Sequence, residues 1–206
     1  VGTYAQSHGI SAVVPVAAAW SQDRLSAQPS LLVTAAVGSA LPLSDHWASI
    51  RHDRLLAERL IEDLARLIAR AHQCGFQHGD MHPGNILVRS NGRRGETLFV
   101  DLHNVRIGRS VGMRQIVANL AQLNQWFRRN ASRTQRRRFL HQYIAYRDQF
   151  GQASPLARNW RIEPKQLVVD LNIQAERHAN KLWAKRDRRT RRNGKYFAKL
   201  RPAAGW

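Results

Sequence analysis

The sequence predicts an α+β fold in which a few short strands lead into a mostly helical body, and three features predict it. Residues 12–19 and 31–37 are short stretches rich in Val and Leu and set off by Gly and Pro, the composition of neighbouring strands in a small sheet. Residues 53–72 carry Leu55, Leu56, Leu60, Ile61, Leu64, Leu67, Ile68 and Ala71 at helical spacing with charges between them. Beyond Gly108 the apolar positions recur with a helical period over 114–127, 133–150 and 164 to about 188.

Taken in order, residues 1–40 hold the two expected strands and belong to a small first unit. The helix over 53–72 is stopped by Gly75. Phe76-Gln77-His78-Gly79-Asp80-Met81-His82-Pro83-Gly84-Asn85 comes next, and its Gly and Pro content demands a loop. The apolar run 86–88 reads as a strand, 90–96 as a polar turn, and 97–100 as a second strand closed by Asp101. Among the later helices, Pro164 suits a first helical turn. The boundaries expected are 1–40, a helical body over 41–180, and a basic tail over 181–206. There are no internal repeats, and the Arg-rich tail is the only segment of low complexity.

With 206 residues, 43% of them hydrophobic, and six Trp, the chain can bury a core and is not a disordered polymer. It has no run of eighteen apolar residues and no charged-then-apolar leader, so a soluble or peripheral protein is expected. Cys74 is the only cysteine, which excludes an internal disulfide framework or a Cys-rich zinc site and fits a reducing compartment, the cytoplasm by default. A net charge of +19 points to a polyanionic partner: nucleic acid, an anionic membrane or a phosphorylated glycolipid. The charge is concentrated from Lys181 to Arg201, where ten basic residues face only Asp187 and are interleaved with Trp183, Tyr196 and Phe197. The bland reading of this segment is a solvated helix end. The aromatics could stack bases, yet no nucleic-acid module is present.

Asp80, Asn85 and Asp101 carry the chemistry. Transfer of a phosphoryl group to a hydroxyl needs a carboxylate to orient the hydroxyl and accept its proton, and oxygen ligands to hold Mg²⁺ against the phosphates. An Asp opening a tight loop, an Asn five residues on, and an Asp ending a returning strand some twenty residues later supply that set. The competing reading takes His78, Asp80, His82, Asp101 and His103 as zinc or di-metal ligands, but it leaves Pro83-Gly84-Asn85 unexplained. Taken singly, His78 and His82 read as hydrogen-bonding residues that fix the loop.

The stretch from His78 to Val88 resembles the catalytic loop of the protein-kinase-like superfamily, in the His-Gly-Asp form shared with aminoglycoside and choline kinases. Phe99-Val100-Asp101-Leu102-His103 with Asn104-Val105-Arg106-Ile107-Gly108 is similar to the narrower Asp-Leu-His version of the lipopolysaccharide core (Kdo/heptose) kinases. Lys185-Arg186-Asp187-Arg188-Arg189 resembles that family's C-terminal region, and the likeness runs from about His8 to Phe197. The resemblance implies a two-lobed kinase-like fold, with a partial first lobe and hinge at 1–40 and a helical second lobe beyond. It makes Asp80 the catalytic base and Asn85 and Asp101 the Mg²⁺ ligands, and it places adenine against the hinge over 32–37, at Ala35, Ala36 and Val37. No Gly-rich phosphate loop precedes that hinge and no Val-Ala-Xaa-Lys strand supplies the phosphate-pairing lysine. The segment from His8 to Pro15 resembles the stretch just after the family's regulatory helix, so that front part is expected before residue 1. His103 stands where protein kinases have Gly, as in the Asp-Leu-His family.

The function expected from the resemblance is transfer of the γ-phosphate of ATP to a sugar hydroxyl of lipopolysaccharide core or a related glycolipid. ATP and Mg²⁺ are the cofactors. The basic tail would meet the anionic inner face of the cytoplasmic membrane, and nucleic acid is not an expected partner. The alternatives are a small-molecule kinase of the aminoglycoside or choline type, and a pseudokinase or binding module that docks on an anionic surface. Intact Asp80, Asn85 and Asp101 weigh against the last, and the missing lysine keeps it open.

Overall fold

The structure is a computed structural model that describes residues 1–19, 31–90, 95–108, 111–152 and 163–190. In chain order these form α1 (Gly2–Ser7), β1 (Pro15–Ala19), β2 (Leu31–Thr34), β3 (Ala40–Pro42), α2 (Leu43–Ile50) and α3 (Arg54–Gln73). Then come β4 (Phe76–His78), β5 (Ile86–Ser90), β6 (Gly95–Phe99), β7 (Val105–Ile107), α4 (Met113–Asn130), α5 (Arg133–Gln152) and α6 (Pro164–Thr190). Short 3-10 turns, Pro83–Asn85 and Leu102–Asn104, punctuate the segment between β4 and β7.

α3 organises the core. Asp53 caps it by accepting the Leu56 amide at 3.0 Å, which satisfies one of the donors that a helix start leaves without a partner. Gly75, with φ 73°, adopts the left-handed conformation that ends the helix and turns the chain into β4. Leu60, Ile61, Leu64, Leu67, Ile68 and Ala71 are buried, each large side chain contributing roughly 1.5–3 kcal/mol of transfer free energy. Leu55 and Leu56 depart from the expected stripe. They lie in the first helical turn, 58% and 37% exposed, ahead of the stretch that meets α5.

α5 lies along α3, with Tyr146 donating to Glu62 at 2.8 Å and Arg138 paired with Glu58. α4 packs on α6. Trp47 of α2 is 2% exposed, sits edge-on to Phe127 at 5.3 Å and donates its indole N–H to the Asn130 carbonyl at 2.7 Å. It thereby fastens α2 to the C-terminal end of α4 and satisfies a carbonyl that the helix end leaves open.

Among the described residues the strands pair into three small antiparallel sheets: β1–β2, β3–β5–β6 and β4–β7. The two strands expected before residue 40 form and pair, although shorter than read. The stretch before β1 is tied to the rest of the chain through two backbone bonds and one from a side chain. Val13 donates to the Phe99 carbonyl at 2.9 Å, Phe99 donates to Ser11 at 3.0 Å, and the Arg70 guanidinium donates to the His8 carbonyl at 2.8 Å. α1, α2, β3, β4 and β7 were not read from sequence, because three to eight residues are too few to display a period. α6 runs to Thr190, so the first ten residues of the basic segment are helical. Its remainder, with Tyr196 and Phe197, lies outside the described residues.

Candidate active site

The loop between β4 and β5 is held against the turn after Asp101 by the β4–β7 pair, in which Phe76, Gln77 and His78 face Ile107, Arg106 and Val105. That register brings Gly79 onto Asn104, with the Gly79 amide donating to the Asn104 carbonyl at 3.0 Å. A Cβ on Gly79 would stand 2.4 Å from that carbonyl oxygen, so the approach requires glycine.

His78 joins the two halves of the site. Its Nε2–H donates to the Val100 carbonyl at 2.9 Å and its Nδ1 accepts the Asp80 amide at 3.2 Å. One buried imidazole therefore fixes the backbone at Asp80 and at the residue before Asp101, and both bonds require the neutral Nε2–H tautomer. Burial holds its pKa below the ordinary histidine value, against the opposing pull of the Val100 carbonyl and of the Asp80 and Asp101 carboxylates. His82 fixes the far end of the loop, its Nδ1 accepting the Gly84 amide at 3.0 Å. The loop-fixing reading of both histidines holds.

Asn85 is buried at the start of β5. Its Nδ2 donates to the Asp80 carbonyl at 2.9 Å and its own carbonyl accepts the Val100 amide at 3.0 Å. With the nitrogen engaged, the remaining polar atom of the side chain is Oδ1, an acceptor. Asp101 has φ 56° and ψ 58°, a left-handed conformation uncommon outside glycine. Its carboxylate meets Nδ1 of His103, and Nε2 of His103 accepts from Nδ2 of the Asn104 side chain at 2.6 Å. The Asp80 carboxylate is half exposed, 3.6 Å from Nε2 of His82.

The structure thus ties Asp80, Asn85 and Val100, the residue before Asp101, to one another through the Asn85 side chain, the Asn85 carbonyl and the His78 ring. Ala35, Ala36 and Val37 come directly after β2. The Ala35 amide donates to the Val14 carbonyl at 2.8 Å, and the adjacent Val13 bonds to Phe99, two residues before Asp101. Ala35 and Ala36 are exposed and Val37 is half-buried.

Asn85 Oδ1 and the Asp101 carboxylate are hard-oxygen donors of the kind that suits Mg²⁺, which is commonly held by one or two protein oxygens and completed by phosphates. The His-rich metal reading fares worse: both ring nitrogens of His78 are already engaged. Among the described residues no three His, Cys, Asp or Glu side chains converge as a metal site.

Sequence reasoning missed the residues behind the loop. Asn119 of α4 donates to the His78 carbonyl at 2.9 Å, and its Oδ1 accepts from Nε2 of His72 at 3.3 Å. Nδ1 of His72 in turn accepts from the Tyr143 hydroxyl at 2.8 Å. Burial, aided by the charge of Arg147 and opposed by the Asn119 bond, pushes the His72 pKa down to about 3. Gln122 of α4 accepts the Met81 amide at 2.9 Å and reaches the Gly79 carbonyl at 3.4 Å. The sequence offers no signal for them beyond two polar positions among several amides on an amphipathic helix.

A separate concavity of roughly 870 Å³ lies away from this loop, with Trp47, Leu64, Leu123, Phe127 and Leu140 on its walls and Arg128, Arg133, Arg136 and Arg137 around it. Burial and the neighbouring guanidinium groups of Arg128 and Arg133 hold Arg136 below the ordinary arginine value.

Residues 4–143 match the description of the lipopolysaccharide kinase (Kdo/WaaP) family. No protein with a curated description matches. A solved structure described as "WaaP in complex with acyl carrier protein" superposes with a TM-score of 0.65 at 20% identity, covering 85% of this chain and 72% of that one. At that identity the likeness shows a shared fold, that of a kinase-like α+β protein. The sequence match spans the larger part of the chain and includes every residue of the loop and of the Asp101 turn, so the chain belongs to the lipopolysaccharide kinase (Kdo/WaaP) family.

Proposed function

We propose that the chain transfers the γ-phosphate of ATP to a sugar hydroxyl of lipopolysaccharide core. The observation that carries this reading is the His78 bridge, which fixes the backbone at Asp80 and beside Asp101 with one ring. Asp80, on the exposed rim, orients the acceptor hydroxyl and takes its proton as the oxygen attacks the γ-phosphorus and the bond to ADP breaks. Asn85 Oδ1 and the Asp101 carboxylate would hold Mg²⁺, which when bound would neutralise charge on the phosphates. His103 keeps the Asp101 carboxylate turned to that task. The backbone of Ala35, Ala36 and Val37 meets adenine.

The test is phosphorylation of purified Kdo- and heptose-containing core acceptors, with aminoglycosides and choline alongside, read by mass spectrometry. Core phosphorylation lost in Asp80→Asn is the expected result. Turnover of the soluble alcohols alone would move the chain to the small-molecule class, and turnover retained in Asp80→Asn would remove the base from the mechanism.

The exposed Lys181 and Arg188 of α6 and the basic residues after them favour a peripheral position on the anionic inner face of the cytoplasmic membrane, at about 1 kcal/mol per basic residue near the surface. Co-sedimentation with anionic but not zwitterionic vesicles is expected, and equal partition would overturn it. The arginine-rimmed cavity favours one further partner, an acidic acyl carrier protein with its acyl chain between the helices. An acylated carrier should raise Tm in the wild type and leave Arg133→Glu/Arg136→Glu unchanged. A carrier without its acyl group doing the same would remove the cavity from the reading.

A further inference from the structure

Each backbone hydrogen-bonding group from the His78 carbonyl to the Met81 amide has an assigned partner. The Gly79 amide is held by Asn104, the Asp80 amide by the His78 ring, and the Asp80 carbonyl by the His82 amide and the Asn85 side chain. The other three are held from α4: Asn119 takes the His78 carbonyl, and Gln122 takes the Gly79 carbonyl and the Met81 amide. Asp80 thus sits between two bonds to a single glutamine, its main chain fixed and its carboxylate alone left to turn.

We infer that Gln122, with Asn119 one helical turn before it, is a positioning residue for phosphoryl transfer: α4 sets the place of Asp80 through backbone bonds and touches neither nucleotide nor acceptor. The inference rests on the proposed transfer reaction. The division of labour comes from the two anchorages. Asn85 and the approach to Asp101 are tied to each other through Val100, whereas the Gly79 carbonyl and the Met81 amide, on either side of Asp80, are tied to α4, the amide and carbonyl of Asp80 itself being held by His78, His82 and Asn85. Loss of Gln122 therefore loosens Asp80 and leaves the nucleotide side in place. Asn119 is buried and also engages His72, so its removal disturbs the core. Gln122 is half-buried and offers the cleaner substitution.

Gln122→Met keeps side-chain length and helix propensity and removes both hydrogen-bonding groups. In the 206-residue chain, amide hydrogen exchange at Met81 is expected to accelerate at least tenfold while α3 and α4 keep their protection. On core acceptor, kcat is expected to fall roughly 10–100-fold, the scale of an ångström-sized misplacement, with the KM for ATP within about twofold. Gln122→Glu retains an acceptor for the Met81 amide and should restore its protection. Unchanged Met81 exchange in Gln122→Met would overturn the clasp. Unchanged kcat, or a loss of protection spread through the helices, would overturn the positioning role. If the wild type phosphorylates nothing, the proposed function fails with the catalytic half of this inference, while exchange alone still decides whether Gln122 holds the loop.

Discussion

His72 makes folding stability depend on pH in a direction the structure fixes. The ring is fully buried between Tyr143 and Asn119, and burial lowers its pKa from 6.5 to about 3. In the unfolded chain it titrates at the ordinary value, so below pH 6.5 the unfolded state binds a proton that the folded state does not. The stabilisation is complete above that value and is lost as pH falls towards 3. Between pH 7.5 and 5 the linkage amounts to roughly 2 kcal/mol, a large share of the 5–15 kcal/mol typical of a domain. His78 and His46, also lowered by burial, act in the same direction. Urea unfolding at pH 7.5, 6.5, 5.5 and 5 should show this decline, and the window stops above the range where carboxylates titrate. His72→Gln, which can keep a donor towards Asn119, should be less stable at pH 7.5 by about 1–3 kcal/mol and should show a shallower slope. A wild-type stability that is flat between pH 7.5 and 5, or a variant slope as steep as the wild type's, would show that His72 does not govern the pH dependence.

Two further substitutions probe the site. Gly79→Ala places a methyl group 2.4 Å from the Asn104 carbonyl oxygen, so the loop and the Asp101 turn should separate. A loss of about 1–3 kcal/mol by chemical denaturation and a fall in transfer are expected. Asp101→Gly removes a carboxylate from a left-handed position that suits glycine. Stability by thermal melting should be unchanged or higher by up to about 1 kcal/mol, while Mg²⁺-dependent nucleotide binding falls by about two orders of magnitude.

The range of each interaction decides how far it could be read from sequence. The α3 stripe and the three later helices are periodic over fourteen or more residues, and the chain shows them directly. The Asp80, Asn85 and Asp101 spacing was equally legible, because a tight loop and a two-stranded return leave little freedom in where those residues end. β4 and β7 were not, since three-residue strands have no visible alternation and pair across the whole Asp101 turn. Gly79 read as a loop residue, while its contact with Asn104 depends on that pairing. Asn119 and Gln122 read as polar positions on an amphipathic helix, and only the return of α4 behind the loop gives them partners about forty residues away. The left-handed Asp101 is likewise set by its surroundings, for nothing in Val100-Asp101-Leu102 demands it.

The most direct test of the account is calorimetric titration of ATP into the chain with and without Mg²⁺, beside Asp101→Asn, a substitution that keeps a residue tolerant of the left-handed conformation. Mg²⁺ ligation by Asp101 requires binding that depends on Mg²⁺ in the wild type and is lost in Asp101→Asn with Tm preserved. Binding that ignores Mg²⁺, or that survives in Asp101→Asn, would contradict it.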